Sequence, residues 1–491
     1  MCTLYDRLIE YSSSDYYGFH MPGHKRQMNM MGAAAPYEID ITEIDGFDDL
    51  HHADGILEEA QARAARVYHA DETHFLINGS SVGILSAVIG VTNRGDTVLV
   101  ARNCHKSVYH AIEMNGLNPV YLSPGVNPSV QFNTEVSAKD VRRALERVPG
   151  IRAVIIVSPT YDGVVSDVEA ISEAVHEKGI PLIVDEAHGA HFGFHPYFPE
   201  NSNQAGADIV IHSLHKTLPS LTQTALLHMN GGFVRREKVR RYLHMLQSSS
   251  PSYVLMASID SCVDLLENQR EELFDPYTER LEKLRTRLAG LRRLRLEETA
   301  CYDCSKLVVS SGDTGLTGRE LYRILLERYH LQLEMAAGTY VLAMTSVGDT
   351  DEGMERLMTA LEEIDSMTGT AALSDQMPCS GKCGAADGET IRQNSGLIYD
   401  IPCLPRPDVV YNSFDIEEMK KSWQTAVLPW QDSVGRVAAE YAYLYPPGKP
   451  LIVPGERVSQ EAADVLQWYY EKGFSVEGIK REGCIEVLMH G

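Results

Sequence analysis

The sequence predicts an α/β fold, a mainly parallel sheet with helices on both faces, set in a chain of more than one domain. Three observations predict it. Short apolar runs alternate with amphipathic stretches from about Thr73 to Leu227. The 491 residues exceed the roughly 250 to 300 at which one core stops growing. A composition of 44% hydrophobic and 23% charged residues is that of a globular chain, not a disordered, fibrous or membrane-spanning one.

Taken in order, the strand candidates are HFLIN (74–78), TVLVA (97–101), PVYLS (119–123), AVIIVS (153–158), PLIVD (181–185) and DIVIHS (208–213). Between several of them lie segments such as VSAKDVRRALERV and DVEAISEAVHEKG, whose apolar residues recur at helical spacing. Strand, helix, strand repetition implies parallel pairing with helices on both faces. ELFDPYTERLEKLRTRL reads as a long charged helix leading out of a large domain at 46–290, which follows an N-terminal segment at 1–45. KLVVSS, TGRELYRILLERY, YVLAMTS and EGMERLMTALEEI then form a small alternating α/β unit at 291–368. Residues 369–396, rich in Gly, Ser, Ala and Asp without periodicity, read as a linker or loop. A C-terminal α+β domain at 397–491 contains YPPGKPLIVPGE (445–456).

Bulk properties exclude several functions. A formal charge of -24 without any basic run argues against nucleic acid, whose phosphates need clustered Lys and Arg. An acidic surface attracts cationic small molecules, and equally it keeps a cytosolic protein soluble. The first residues, MCTLYDRLIEYSSSDYYGFHMPGHKR, lack the pattern of a secretory signal, and no apolar stretch approaches the roughly 18 residues of a membrane helix. A cytoplasmic location is expected. Nine scattered cysteines, among them the Cys301–Cys304 pair and Cys379, Cys383 and Cys403, fit reduced thiols rather than disulfides, and their loose spacing predicts no metal site.

In open α/β sheets ligands bind beyond the carboxyl ends of the strands. That rule selects Asn78 to Ser81, Arg102 to His105, Pro159 to Gly163, Asp185 to His191 and Ser213 to Lys216. Lys216, at the end of such a strand, is either an exposed loop lysine or a partly desolvated nucleophile toward an aldehyde. Asp185 ends the apolar PLIVD, where a buried carboxylate wants a cation. A protonated pyridine nitrogen is such a cation, as in pyridoxal-phosphate enzymes; the other readings are a turn cap or a bond to a nearby histidine. Ser80 and Ser81 open a helix and suit either a phosphate or N-capping. His105 either stacks on an aromatic cofactor or serves as a structural hydrogen-bonder.

Together these residues resemble the ornithine/lysine/arginine decarboxylase family, of the aspartate-aminotransferase fold (fold type I). The resemblance rests on FHMPGHKR (19–26), DITEIDGFDDLHHADG (40–55), FLINGSSVGILSA (75–87), RNCHKSVYHA (102–111), DEAHGAHFGFH (185–195), SLHKTLPSLTQTALLH (213–228), SSPSY (249–253) and YPPGKPLIVPGE, so it spans nearly the whole chain outside 369–396. It implies pyridoxal 5'-phosphate held by Lys216 as a Schiff base, with Asp185 on the pyridine nitrogen. It further implies His105 over the ring, Ala187 against the other face, and Ser80, Ser81, Ser213 and His215 on the phosphate. His188 is expected near the cofactor, and Glu456 is a candidate substrate-side carboxylate. Lys216 or His215 would return a proton to the carbon that loses CO2. Longer members carry an N-terminal wing domain; HMPGHK begins near residue 20, so neither that wing nor its ring assemblies are expected. A homodimer or higher homo-oligomer is expected, with SSPSY at part of the contact.

The implied reaction is decarboxylation of arginine, lysine or ornithine to agmatine, cadaverine or putrescine, with arginine or lysine favoured. Two competitors remain at this point: an aminotransferase or aldolase using the same Lys and Asp, and a catalytically silent regulatory relative. The intact Lys216 and Asp185 weigh against the second.

Overall fold

The computed structural model describes residues 14–20, 22–25, 27, 39–127, 130, 132–367, 406, 408–444 and 449–489. The 369–396 segment, Cys379, Cys383, Cys403 and most of 1–45 lie outside them. The first part of the chain runs β1 (Tyr17–Phe19), α1 (Ile56–Val67), β2 (Glu72–Leu76), α2 (Gly79–Val91), β3 (Thr97–Ala101), α3 (Lys106–Asn115), β4 (Asn118–Leu122), α4 (Ala138–Arg147) and β5 (Ile151–Val157). It continues through α5 (Val168–His176), β6 (Leu182–Asp185), β7 (Ile209–His212), the single turn α6 (Leu214–Thr217), β8 (Ala225–Met229), α7 (Arg236–Leu246), α8 (Tyr253–Asn268) and α9 (Arg270–Leu288).

Seven strands form one sheet in the order β2-β8-β7-β6-β5-β3-β4. Neighbours from β7 to β4 pair in parallel, and β8 runs antiparallel to both β2 and β7. Strands β5, β6 and β7 are buried almost throughout, as both-face coverage requires. All six predicted strands are present, with ends moved for local reasons. TVLVA matches β3 residue for residue. PLIVD starts at Leu182 because Pro181 has no N–H for the ladder; its carbonyl instead accepts the Val154 N–H. HFLIN ends at Leu76 because the Ile77 N–H is taken by the Gln247 side chain at 2.9 Å. The two amphipathic segments form α4 and α5, capped by Ser137 and Asp167. Each fully buried Leu, Ile or Val of this core contributes about 1.5 to 3 kcal/mol over its exposed state.

A second unit holds β9 (Arg295–Glu297), β10 (Lys306–Ser310), α10 (Gly318–Tyr329), β11 (Leu331–Leu333), β12 (Met335–Ala337), β13 (Tyr340–Met344) and α11 (Asp351–Ser366). Its sheet, β12-β13-β10-β9, is antiparallel, and β1 pairs in parallel with β11, so the N-terminal strand docks on this unit. A Thr317/Glu320 capping box starts α10. The last unit comprises α12 (Ser413–Ser422), β14 (Thr425–Pro429), β15 (Ala442–Leu444), β16 (Lys449–Ile452), α13 (Gln460–Glu471), β17 (Val476–Glu477) and β18 (Cys484–Leu488). It leans on α3 and β4: Tyr441 OH donates to Glu113 Oε2 at 2.6 Å and Asn412 Nδ2 to Asn118 Oδ1 at 2.9 Å. Among the described residues no helix is long and apolar enough to cross a membrane, and no group of His, Cys, Asp and Glu is arranged to hold a metal ion.

Candidate active site

The sheet order puts the selected residues on one edge. Asp185 ends β6, Lys216 follows β7 beside it, Ser80 and Ser81 follow β2, and His105 follows β3. Because β2, β3, β6 and β7 point the same way, all four chain segments emerge at the carboxyl edge. Lys216 lies on α6, a helix only four residues long, and the chain then returns directly into β8.

The Lys216 amine is the centre of a cluster. Its Nζ lies 2.9 Å from His188 Nε2. Burial pushes its pKa down to about 8; the Lys306 charge adds to that, while Asp185 and Glu334 oppose it. His188, His105 and His215 all feel the Lys216 charge. Burial holds His105 neutral, with a pKa of about 3, and His215 likewise at about 4. The His105 ring is fixed in place because Nδ1 caps α3, lying 2.7 Å from Ser107 Oγ and accepting the Ser107 N–H at 3.3 Å. His215 Nδ1 lies 3.0 Å from the Thr224 carbonyl oxygen.

Asp185 is 3% exposed, and burial raises its pKa. One oxygen accepts the Ala187 N–H at 3.2 Å, so it does brace the next turn, and the carboxylate still lies within electrostatic reach of Lys216. Such a group gains from a cationic partner. Ser80 and Ser81 sit inside the first turn of α2, after the N-cap position held by Asn78, so neither is the cap. Ser213 Oγ and Thr217 Oγ1 are buried without a hydrogen-bond partner among the described residues, as is His188 Nδ1. Buried hydroxyls left open in this way are unfavourable unless a ligand completes them.

Glu456 is placed in a buried ion pair: its Oε2 accepts from Arg102 Nη2 at 2.8 Å and from the Val453 N–H at 3.0 Å. Arg102 also stacks over Tyr121 and Tyr109. The pair joins the C-terminal unit to the loop that carries His105. Tyr161, inside the selected stretch Pro159 to Gly163 but given no role from sequence, packs its ring edge-on 4.7 Å from His188, and its OH donates to Glu334. Sequence reading missed Lys306 and Asp303, which meet His191 of the selected stretch Asp185 to His191 by tertiary packing; a lysine opening an apolar strand three residues after an aspartate was the available signal.

A buried aspartate at one strand end, a lysine of low basicity at the next and open hydroxyls around it fit the ring nitrogen, aldehyde and phosphate of pyridoxal 5'-phosphate. The fold and this edge define a pyridoxal-phosphate enzyme of the aspartate-aminotransferase fold. The Orn/Lys/Arg decarboxylase major domain matches residues 2–341 and that family's C-terminal domain matches residues 404–472. The chain is 32% identical to an arginine decarboxylase of Bacillus anthracis over 97% of its own length and 94% of the relative's. It is 25% identical to the lysine decarboxylase LdcA of Pseudomonas aeruginosa, covering 94% of this chain and 74% of that one. Among solved structures, the lysine decarboxylase LdcF of Francisella novicida superposes with a TM-score of 0.76 at 18% identity, covering 99% of this chain and 81% of that one. The protein belongs to the Orn/Lys/Arg decarboxylase family and is a pyridoxal-phosphate-dependent amino-acid decarboxylase.

Proposed function

We propose that the chain converts L-arginine to agmatine and CO2, with lysine the second choice, and that it works as a cytoplasmic homodimer with SSPSY at the contact. The observation that carries the chemistry is the Lys216 amine, held 2.9 Å from His188 beside the buried Asp185. The preference for arginine is supported by the near full-length similarity to a protein named arginine decarboxylase, against lower identity to one named lysine decarboxylase.

Bound pyridoxal phosphate supplies the electron sink for the pair left when CO2 departs. Every other part belongs to the chain. Lys216 would anchor the cofactor through its amine. Asp185 keeps the proton on the ring nitrogen. His105 and Ala187 would cover the two faces of the ring, and Ser80, Ser81, Ser213 and His215 would hold the phosphate. Once CO2 has left, Lys216 or His215 returns a proton to the substrate carbon. His188, 2.9 Å from Nζ, fixes the position of the Lys216 amine. Glu456 acts through Arg102, fixing the loop that presents His105.

The test is incubation of the purified, cofactor-loaded protein with arginine, lysine and ornithine separately, with CO2 and amines identified by mass. Agmatine is expected as the fastest product, and Lys216→Ala is expected to lower the rate by about a thousand-fold or more. Keto acid in place of CO2 would make the chain an aminotransferase. Amine production undiminished by Lys216→Ala would overturn the site.

A further inference from the structure

One buried cation has no part in the chemistry above. Lys306 opens β10 and is 0% exposed. A buried ammonium persists only when it is paired and hydrogen-bonded. Its Nζ donates to Asp303 Oδ2 at 3.1 Å and Ser305 Oγ at 3.3 Å, and reaches the His188 carbonyl oxygen at 3.5 Å. Asp303 Oδ1 lies 3.0 Å from His191 Nε2 and accepts the Ser305 N–H at 3.0 Å. The cluster thus grips one turn at two points, the His188 backbone and the His191 ring. That turn has no slack: a Cβ on Gly189, between them, would lie 2.8 Å from both Glu186 Cγ and Pro159 Cδ. The small unit is held as tightly, since the Asp303 N–H donates to the Gly163 carbonyl at 2.8 Å and a Cβ on Gly163 would press on the Lys306 stem at 3.0 Å.

We propose that Lys306 is a positioning residue of the active site: with Asp303 and His191 it fixes the turn that holds the His188 ring 2.9 Å from Lys216 Nζ. The inference rests on the reading of Lys216 as the reactive amine. Position and charge act together. The charged and titratable groups around that amine are Asp185 from β6, His188 from the turn after it, His105 at the start of α3, His215 beside it on α6, Glu334 between β11 and β12, and Lys306 itself. Burial lowers the proton affinity of Lys216 and of His188 most, and the Lys306 charge lowers both further. A second cation next to a reactive lysine keeps more of it unprotonated near neutral pH.

The test reads Lys216 directly in the cofactor-free full chain, by reductive methylation with formaldehyde and borohydride across pH, followed by peptide mass. Wild type should show a midpoint near about 8. Lys306→Met should move it up by about one pH unit, an approximately tenfold loss of modification at neutral pH, because a nearby positive charge is gone. Lys306→Arg should keep the wild-type midpoint. The acidic limb of the decarboxylation profile of the loaded enzyme should move the same way. If Lys306→Met leaves Asp303 uncompensated and fails to fold, D303N/K306M removes both ions and should shift the midpoint upward by less. A folded variant lacking Lys306 with a wild-type midpoint would overturn the inference. A shifted midpoint in a protein that decarboxylates no basic amino acid would leave the inference standing and sink the proposed function instead.

Discussion

Replacing Glu456 with alanine tests how strongly a buried ion pair clasps the C-terminal unit to the catalytic edge. Glu456 and Arg102 are 4% and 6% exposed, and burial raises the Glu456 pKa, against the pull of Arg102. Removing one partner of a buried pair strands the other charge, which costs about 3 to 5 kcal/mol. The Val453 N–H also loses its acceptor, worth about 1 to 3 kcal/mol more if water does not replace it. All three tryptophans, Trp423, Trp430 and Trp468, lie in this last unit, so their fluorescence during urea denaturation reports its undocking. The expected result is a C-terminal transition destabilised by about 3 kcal/mol or more. R102M/E456M should lose less than either single variant, since no charge is left stranded. A loss below about 1 kcal/mol, accompanied by a raised KM for arginine, would refute the clasp and make Glu456 a direct substrate contact.

Two further results are expected. Ser213→Ala should weaken cofactor binding by about tenfold while leaving the cofactor-free protein at least as stable, because that hydroxyl has no partner to lose; equal cofactor affinity, measured by titration of the visible absorbance, would exclude it from the phosphate. Acid should destabilise the cofactor-free fold before its carboxylates titrate. His105 and His215 have folded pKa values of about 3 and about 4 against an ordinary 6.5, so between about 6.5 and 4 the unfolded chain binds more protons and stability falls as pH falls. Denaturation midpoints unchanged from pH 7 to pH 5 would contradict the buried, neutral histidines.

The parallel part of the sheet was legible because strands buried on both faces write themselves as unbroken apolar runs: β5, β6 and β7 are such runs. β8 is buried too, but its antiparallel direction leaves no trace in ALLHM. In the small unit, β11 and β12 are three residues each, below the length at which alternation can be read, so the antiparallel pairing there emerged only from tertiary contacts. Asp185 and Lys216 were legible because Asp185 closes one apolar strand and Lys216 follows the end of the next, where an ionisable side chain stands out. The contacts of His188 were not: Tyr161 and Lys306 come from separate stretches of chain, and no local pattern records that they meet around it.

The reversal of β8 has a mechanical consequence. In an all-parallel sheet the segment after β7 would leave the edge on a long crossover; here it returns at once, tethered by β7 at one end and β8 at the other. The backbone under Lys216 is therefore a short bridge, cross-tied where His215 meets the Thr224 carbonyl and where Ser220 meets Ser258. In the proposed reaction, any movement of the Lys216 amine would fall to the four methylenes of its own side chain while the span beneath stays still. The interposed strand also separates β2 from β7 by two ladder spacings, roughly 10 Å.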